Sequence, residues 1–353
     1  MTTNADREQP RRKLPSGFGA SGRKSVRVSR EALVKAGFFD PQTRFPLVMA
    51  PSVESVHLAS WIEEGRATLE QDLLRHGAIL FRGFPIDSIT AFEQCVRAFS
   101  PNLLDYQERA APRLAVGRNV YTSTEFPAHQ EIPLHHEMSY SHQWPERIFF
   151  FCVRAAETGG ATPIVDDRGV FSLIPAEIKE EFLRKKLMYM RNYGETLDLP
   201  WQEVFQTNER ADVEAYCGKS GIDFEWKADG GLRTRQVRQV VAVHPATGDT
   251  VWFNHAHIFH PSSLEPAVRD ALLSQFAADD LPRNVIFGDG SPIPTSMLDE
   301  IRAIYRAAAV RFPWQQGDIL MLDNVLASHG REAFSGPRQI VVAMTDLHTS
   351  DLS

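Results

Sequence analysis

The sequence has few cysteines, no long apolar run and no excess of positive charge. Its three cysteines are widely spaced and odd in number, which argues against a disulfide framework or a zinc knuckle and fits a reducing compartment. No apolar run approaches the length of a membrane span, and the N-terminal residues lack the apolar centre of a secretory signal. The formal net charge of −7 argues against nucleic acid as the main partner. We therefore expect a cytoplasmic protein that binds neither membranes nor nucleic acid.

The length of 353 residues suits one large domain with insertions or two ordinary domains. Residues 1–30 are polar and basic, with glycine, serine and proline between the charges. Such a segment buries too little apolar surface to offset its loss of conformational entropy on ordering, so we predict a disordered tail. A docking arm for nucleic acid or a carrier protein is the alternative. Residues 31–353 are predicted to form a single domain.

Short runs of β-branched, aromatic and aliphatic residues predict the core of the fold. Arg147–Val153, Asp318–Leu322 and Gln339–Met344 are each typical of a buried strand. A helical pattern covers 55–76, and a helical insertion is predicted at about 176–235. Many short strands interrupted by helical insertions indicate a mainly β fold with a double-stranded β-helix (jelly-roll) core.

The segment Ile132–Ser141 contains a histidine and a glutamate two residues apart. On an extended strand, residues i and i+2 point the same way, so His135 and Glu137 are expected to converge while His136 faces away. These are two of the three ligands of a 2-His-1-carboxylate triad, which leaves coordination positions open on non-haem Fe(II). A lone H-x-E is common by chance, so a metal site requires a second histidine.

The second histidine candidate is His329, which follows an apolar run and precedes a glycine where a tight turn can present the imidazole. Nine residues later, Arg338 opens another β-run, and its guanidinium can form a bidentate pair with a carboxylate. Taken singly, each of these residues has an ordinary alternative. The histidine could cap a turn, and the arginine could join a surface ion pair.

Together these motifs resemble the TauD/TfdA-type, clavaminate-synthase-like dioxygenases that depend on Fe(II) and 2-oxoglutarate. The resemblance is carried, in family order, by Gly77–Phe84, the H-x-E motif, Gly159–Thr162, Asp323–Arg331 and Gly336–Arg338. It implies that the iron ligands are His135, Glu137 and His329. It also implies that Arg338 anchors the distal carboxylate of 2-oxoglutarate with help from the Thr162 hydroxyl, and that O2 is consumed.

Within the family, the segments Pro133–Tyr140 and Trp252–His260 are most similar to the syringomycin-type hydroxylases of the H-x-E branch. Those enzymes hydroxylate amino acids, some of them tethered to a carrier protein. The resemblance implies a small amino-acid-like substrate of antibiotic biosynthesis, either free or presented by a peptidyl carrier protein. Related halogenases have a small residue in place of Glu137, so an intact glutamate predicts an oxygenase outcome. Val342 replaces the arginine that grips the sulfonate in taurine dioxygenase, so a sulfonate substrate is not expected.

Asn254, His257 and Arg331 are the candidates for contact with substrate. Alternation places His255 and His257 on one face, and polar pocket lining is favoured over a second metal because no carboxylate or cysteine lies at metal spacing. Arg331 could bind a substrate carboxylate or be an ion-paired turn residue. Two other functions stay open, namely a catabolic dioxygenase of a small carboxylate and a jelly-roll binding protein with a silent metal site.

Overall fold

The computed structural model describes residues 30–54, 56–104, 115–117, 119–122, 126–194 and 199–351. The predicted tail lies outside this range except for Arg30, which begins the first helix. The α-helices of the described residues are α1 (Arg30–Leu33), α2 (Leu58–Glu64), α3 (Arg66–His76), α4 (Ile89–Phe99), α5 (Asp167–Leu173), α6 (Ala176–Lys185), α7 (Trp201–Phe205), α8 (Arg210–Lys219), α9 (Ala256–Phe259), α10 (Pro266–Gln275) and α11 (Thr295–Ala308). Within these ranges, no helix has both the length and the apolar character needed to cross a membrane.

The strands of the described residues form one large sheet and several small ones. They are β1 (Val34–Gly37), β2 (Leu47–Pro51), β3 (Ala78–Phe81), β4 (Ala115–Gly117), β5 (Val120–Thr122), β6 (Ile132–His135), β7 (Gln143–Arg154), β8 (Thr158–Gly159), β9 (Ile164–Asp166), β10 (Leu187–Tyr193), β11 (Asp223–Trp226), β12 (Leu232–Arg238), β13 (Val241–Val243), β14 (Thr250–Trp252), β15 (Arg283–Phe287), β16 (Ile319–Asp323), β17 (Ala327–Arg331), β18 (Phe334–Ser335) and β19 (Gln339–Thr349). Short 3-10 helices cover Pro261–Ser263 and Ala278–Asp280.

The large sheet has eight strands in the order β1-β2-β3-β16-β7-β19-β5-β4, and only the β2–β3 pair is parallel. Its central strand, β7, is apolar on both faces because both faces are covered. Phe149 and Phe151 pack against helices α2, α3 and α4 in one core cluster. Ile148, Phe150 and Cys152 alternate with them and point into a second cluster inside the jelly roll.

The opposite wall of the jelly roll is a three-stranded sheet in the order β6-β17-β9. Ile164 of β9 and Ala327 of β17 join the interior cluster that contains Phe150 and Leu320 of the large sheet. Two sheets therefore close on one apolar interior, as in other face-to-face sheet packings. The prediction of a mainly β fold with a double-sheet core is confirmed.

The helical pattern predicted over 55–76 is divided into α2 and α3 at Gly65. The guanidinium of Arg30 occupies the space that a Cβ at Gly65 would need, with only 1.5 Å between the added carbon and Nη2. The same guanidinium donates to the carbonyl of Trp61 and stacks on the Trp61 ring at 4.1 Å. The break between the helices therefore coincides with a close contact of the Arg30 guanidinium with Gly65, which a side chain at position 65 would displace.

The prediction of a helical insertion at about 176–235 is wrong for much of that segment. It contains helices α6, α7 and α8, but also three strands of a four-stranded sheet in the order β11-β12-β10-β15. Leu187 and Tyr189 turn one face of this sheet toward α6 and α11. On β12, Arg233 forms ion pairs with Glu225 and Asp280 of neighbouring segments. These paired charges give a half-buried strand the composition of an exposed segment, so the sequence pattern does not reveal the strand.

Replacing Phe151 by alanine is expected to lower the free energy of unfolding by about 3–5 kcal/mol. The ring is 1 % exposed and stacks on Phe92 at 5.2 Å, so its removal leaves a cavity. The matched control is Leu173→Ala, at a side chain that is 63 % exposed, which should change stability by less than about 0.5 kcal/mol. Urea unfolding followed by circular dichroism measures both variants, and equal midpoints would contradict the assigned packing of Phe151.

Candidate functional site

Three side chains that can bind a metal converge where β6 meets β17. The ligand atoms of His135, Glu137 and His329 all lie within 4.8 Å of one another, and no other such group of three His, Cys, Asp or Glu residues occurs in the described part of the chain. His135 and His329 are direct partners in the antiparallel β6–β17 pair, with ring centroids 4.5 Å apart. Glu137 and His329 are buried, and His135 is half-buried. The structure thus brings together the three residues singled out in the sequence.

Glu137 reaches this cluster from a turn and not from the expected strand. Strand β6 ends at His135, and the following turn has Met138 at φ 59°. The amide of Asn324 holds the backbone of Glu137 on both sides, because Oδ1 accepts its N–H at 2.8 Å and Nδ2 donates to its carbonyl at 3.0 Å. The same Nδ2 donates to the carbonyl of Pro145 at 2.8 Å. Convergence therefore depends on a buried side-chain amide 187 residues away in the sequence.

The orientation of His135 suits metal binding through Nε2. Its Nδ1 lies 2.8 Å from the carbonyl oxygen of Pro133. A carbonyl can only accept, so Nδ1 carries the proton, and the lone pair of the neutral ring is on Nε2. Metal-bound histidines commonly have this arrangement, in which a hydrogen bond from the other nitrogen fixes the tautomer.

His136 faces away from the cluster, as the sequence predicts, and is fully buried. Its Nδ1 donates to the carbonyl of Asn324 at 2.7 Å, while Nε2 lies 3.2 Å from the carbonyl of Trp252 and 3.3 Å from Oδ1 of Asp167. Burial alone would lower the pKa of His136, but the Asp167 charge and these acceptors outweigh it and raise the pKa. Both ring nitrogens of His136 therefore face hydrogen-bond acceptors, one of which is a carboxylate.

Arg338 and Thr162 lie along the segment that flanks His329. Ile164 is the cross-strand partner of His329, and Glu332 donates to the carbonyl of Ala161 at 3.0 Å. At the start of the segment, Arg338 Nε donates to the carbonyl of Gly160 at 2.9 Å. Gly160 has φ 71°, and an added Cβ would lie 3.0 Å from Cδ of Arg338. The guanidinium therefore packs against the backbone of Gly160, which has no side chain, on the side of the barrel that carries the three ligands.

The guanidinium of Arg338 has donors to spare. Its Nη atoms make no hydrogen bond or ion pair to any residue that the structure describes. Burial, with a smaller contribution from the charge of Arg331, lowers the pKa of Arg338 to about 10. The hydroxyl of Thr162 accepts from Trp314 Nε1 at 3.0 Å and keeps its own proton for donation. A half-buried cation whose Nη donors are unpaired is suited to binding a carboxylate.

The partners of Arg331 within the described residues are backbone carbonyls and not the carboxylate of an ion pair. It donates to the carbonyls of Phe126, Pro127 and Gln130 at 2.7–2.9 Å, and therefore fixes the loop that precedes β6. These bonds engage both Nη atoms, while Nε is buried without a hydrogen-bond partner among the described residues, so contact with a substrate carboxylate stays a prediction. Backbone carbonyls thus take the place of the carboxylate expected in an ion pair. The spacing of charged residues along the sequence does not reveal such backbone partners.

The side chains of Asn254 and His257 are hydrogen-bonded to backbone groups. Asn254 donates to the carbonyl of Val240 at 2.8 Å and accepts from Ala256 N–H at 3.0 Å, so its amide is engaged in local structure. His257 donates through Nε2 to the carbonyl of Leu134 at 2.8 Å. The expected alternation fails because residues 256–259 form helix α9 and not a strand. His257 thus holds the backbone one residue before His135.

His255, for which the sequence favours a place in the polar lining of a pocket, is a neighbour of the cluster. Its ring lies 5.5 Å from that of His135, and its Nδ1 lies 2.6 Å from the Ser139 hydroxyl. Tyr140 and Phe259 pack on the same ring at 5.0 and 5.2 Å. Burial, with nearby positive groups, lowers the pKa of His255 well below its usual value. A neutral imidazole therefore forms one wall beside the candidate metal position.

Comparison with known proteins agrees with this geometry. The sequence model of the family described as "Taurine catabolism dioxygenase TauD, TfdA family" matches residues 43–345. The chain belongs to the TauD/TfdA family. It is accordingly a non-haem dioxygenase that uses Fe(II), 2-oxoglutarate and O2.

Relatives from bacteria and plants cover most of the chain. The dapdiamide synthesis protein DdaC of Enterobacter agglomerans is 44% identical over 278 residues, which are 79% of this chain and 84% of that protein. A clavaminate synthase-like protein of Arabidopsis thaliana is 30% identical over 323 residues, 85% of this chain and 93% of that protein. The solved structure of PvcB from Pseudomonas aeruginosa covers 89% of this chain and 92% of its own at 16% identity, with a TM-score of 0.53. The likeness to PvcB shows a shared fold.

Lowering the pH from about 7 to about 4 is expected to destabilise the protein through His257. Its Nε2–H is bonded, its Nδ1 has no partner, and burial lowers its pKa to about 4. Below an ordinary pKa near 6.5 the unfolded chain binds a proton that the folded chain does not, so stability falls as pH falls from 6.5 to 4, by up to about 3 kcal/mol.

Urea unfolding at pH 7, 6 and 5 measures this loss. The control is His257→Gln, whose amide can still donate to the Leu134 carbonyl but does not titrate. Its stability should fall less steeply with acid than that of the wild type. Parallel curves for the two proteins would show that His257 titrates normally in the folded state.

Proposed function

We propose that this dioxygenase binds its iron through His135, Glu137 and His329 and hydroxylates an unactivated carbon of an amino-acid substrate in secondary-metabolite biosynthesis. The observation that carries the proposal is the approach of the three ligand atoms to within 4.8 Å of one another. Two imidazoles and one carboxylate form the donor set of the facial triad. An Fe(II) ion held there would supply oxidation by O2, coupled to decarboxylation of 2-oxoglutarate to succinate.

The residues around the cluster fit this assignment. The tautomer of His135 leaves Nε2 as the donor, and Asn324 holds the turn that carries Glu137. Arg338 would bind the distal carboxylate of 2-oxoglutarate through its two Nη atoms, with a hydrogen bond from the Thr162 hydroxyl. The Phe150 ring lies 4.9 Å from that of His329 and keeps water from the inner side of the site.

The proposed reaction outcome and substrate class rest on particular residues and on the relatives. An intact Glu137 occupies the position that a halogenase would open to chloride, so hydroxylation or another oxygenase outcome is favoured. Val342 is 1 % exposed inside the apolar interior, which disfavours a sulfonate substrate at that position. DdaC is named for dapdiamide synthesis, and its 44% identity supports a biosynthetic amino-acid-like substrate. That substrate would be free or presented by a peptidyl carrier protein.

The test is the metal-to-ligand absorption band that forms when Fe(II) and 2-oxoglutarate are added anaerobically. We expect the band in the wild type and not in His329→Ala, because that variant loses one of the three metal ligands. Arg338→Gln should form it only at about 10- to 100-fold higher 2-oxoglutarate, because a charge-assisted pair contributes about 1.5–3 kcal/mol. The matched control is Arg311→Gln, at an arginine that is half exposed and paired with Glu332.

The control should bind 2-oxoglutarate like the wild type. A band of equal strength in His329→Ala, or no band in the wild type, would refute the assigned ligands. O2-dependent formation of succinate with a panel of free and carrier-bound amino acids then tests the substrate class. Stimulation by small carboxylates alone would favour a catabolic dioxygenase.

A further inference from the structure

A single carboxylate lies between the two segments that carry the proposed iron ligands. Asp167 is the first residue of α5, directly after β9, and its side chain is completely buried. Its own N–H donates to the carbonyl of Leu326 at 2.9 Å, which places it against the start of β17. Nothing in the reaction proposed above uses this residue.

Both oxygens of Asp167 accept from residues next to ligands. Oδ1 lies 3.3 Å from Nε2 of His136, the residue between His135 and Glu137. Oδ2 accepts the backbone N–H of Ser328, the residue before His329, at 2.7 Å. One carboxylate therefore joins the H-x-E segment to the strand that carries the second histidine.

The backbone ladder alone constrains this junction weakly. His329 pairs with His135, but the register then shifts, so that Arg331 pairs with Ile132. Bulged pairs interrupt the regular hydrogen bonds and bend the strand. The backbones of β6 and β17 also lie close together at this irregular pair, since a Cβ at Gly330 would lie 2.6 Å from the carbonyl oxygen of Ile132. The relation between the two ligand segments must be fixed by side chains as well.

Burying a carboxylate is costly unless its oxygens are hydrogen-bonded. Three donors offset that cost here, because the hydroxyl of Tyr305 also donates to Oδ1 at 2.7 Å. Tyr305 lies on α11 and is adjacent to no proposed ligand. The tyrosine bond therefore contributes stability, whereas the other two contacts fix where the ligands stand.

We infer that Asp167 is a positioning residue for the iron site and sets the separation of the two ligand-bearing segments through His136 and Ser328. This inference rests on the proposed function, since it needs His135, Glu137 and His329 to be the ligands. Asp167 itself does not touch the metal. Partners that orient metal ligands in this way typically change metal affinity by about 10- to 100-fold when they are removed.

The test is a Co(II) titration of the full chain under nitrogen, followed by the visible absorption of the bound ion. Asp167→Asn keeps the shape of the side chain but replaces one acceptor oxygen by an NH2 group. The amide has a single acceptor oxygen, so it can no longer accept from both His136 and the Ser328 N–H. We expect Co(II) to bind about 10- to 100-fold more weakly, with a changed absorption spectrum.

The matched control is Tyr305→Phe, which removes a bond to the same carboxylate but leaves both ligand-side contacts. It should lower the unfolding temperature without the metal and leave Co(II) affinity and spectrum unchanged. If Asp167→Asn does not fold, His136→Asn serves in its place. Its amide can still donate to the Asn324 carbonyl but is too short to reach Asp167, so Co(II) affinity should fall.

The possible results distinguish failure of the positioning role of Asp167 from failure of the proposed iron ligands. Equal Co(II) affinity in the wild type and Asp167→Asn, or in His136→Asn where that variant is used, would overturn the positioning role alone. An equal loss of affinity in Tyr305→Phe would also overturn it, because general destabilisation would then explain the effect. Failure of the wild type to bind Co(II) would overturn the proposed function and this inference together.

Discussion

The buried amide of Asn324 is the interaction on which the arrangement of the site depends. It accepts from the N–H of Glu137 and donates to the carbonyls of Glu137 and Pro145, while its own backbone carbonyl accepts from His136. A turn inside an apolar barrel leaves backbone groups that water cannot reach, and each unsatisfied group costs about 1–3 kcal/mol. The amide satisfies them in the one geometry that points the Glu137 carboxylate at the two histidines.

The apolar barrel supplies the rigid frame for this polar arrangement. Strands β7, β16 and β19 are buried on both faces, so alternate residues pack outward on the helices and inward on the second sheet. A one-residue slip would exchange the two faces, and the different shapes of the two clusters oppose that slip. The register that places His329 opposite His135 is therefore set by packing at a distance from the site, and side-chain hydrogen bonds complete it.

The sequence was sufficient for the chemical composition of the site but not for its local geometry. The apolar strands and the residues at 135, 137, 329 and 338 could be identified because hydrophobic pattern and residue type are local properties. The turn at Glu137 could not, since it depends on an amide far along the chain. The alternation of His255 and His257 does not hold, because residues 256–259 form a helix, and four residues fit a short helix or a strand equally well. The partners of Arg331 could not be predicted, because they are backbone carbonyls, which leave no trace in composition.

Charge balance explains why the two arginines near the site differ. Both Nη atoms of Arg331 donate to neutral carbonyls, whereas the half-buried Arg338 keeps its Nη donors unpaired among the described residues. The carboxylate of Glu137 and the guanidinium of Arg338 have opposite formal charges, and the carboxylate of Asp167 lies 3.3 Å from Nε2 of His136. A divalent metal alone would add two uncompensated positive charges to a low-dielectric interior, and the dianion 2-oxoglutarate would remove them. The site is thus electrostatically complementary to the metal and co-substrate together, which favours their joint retention over that of either one alone.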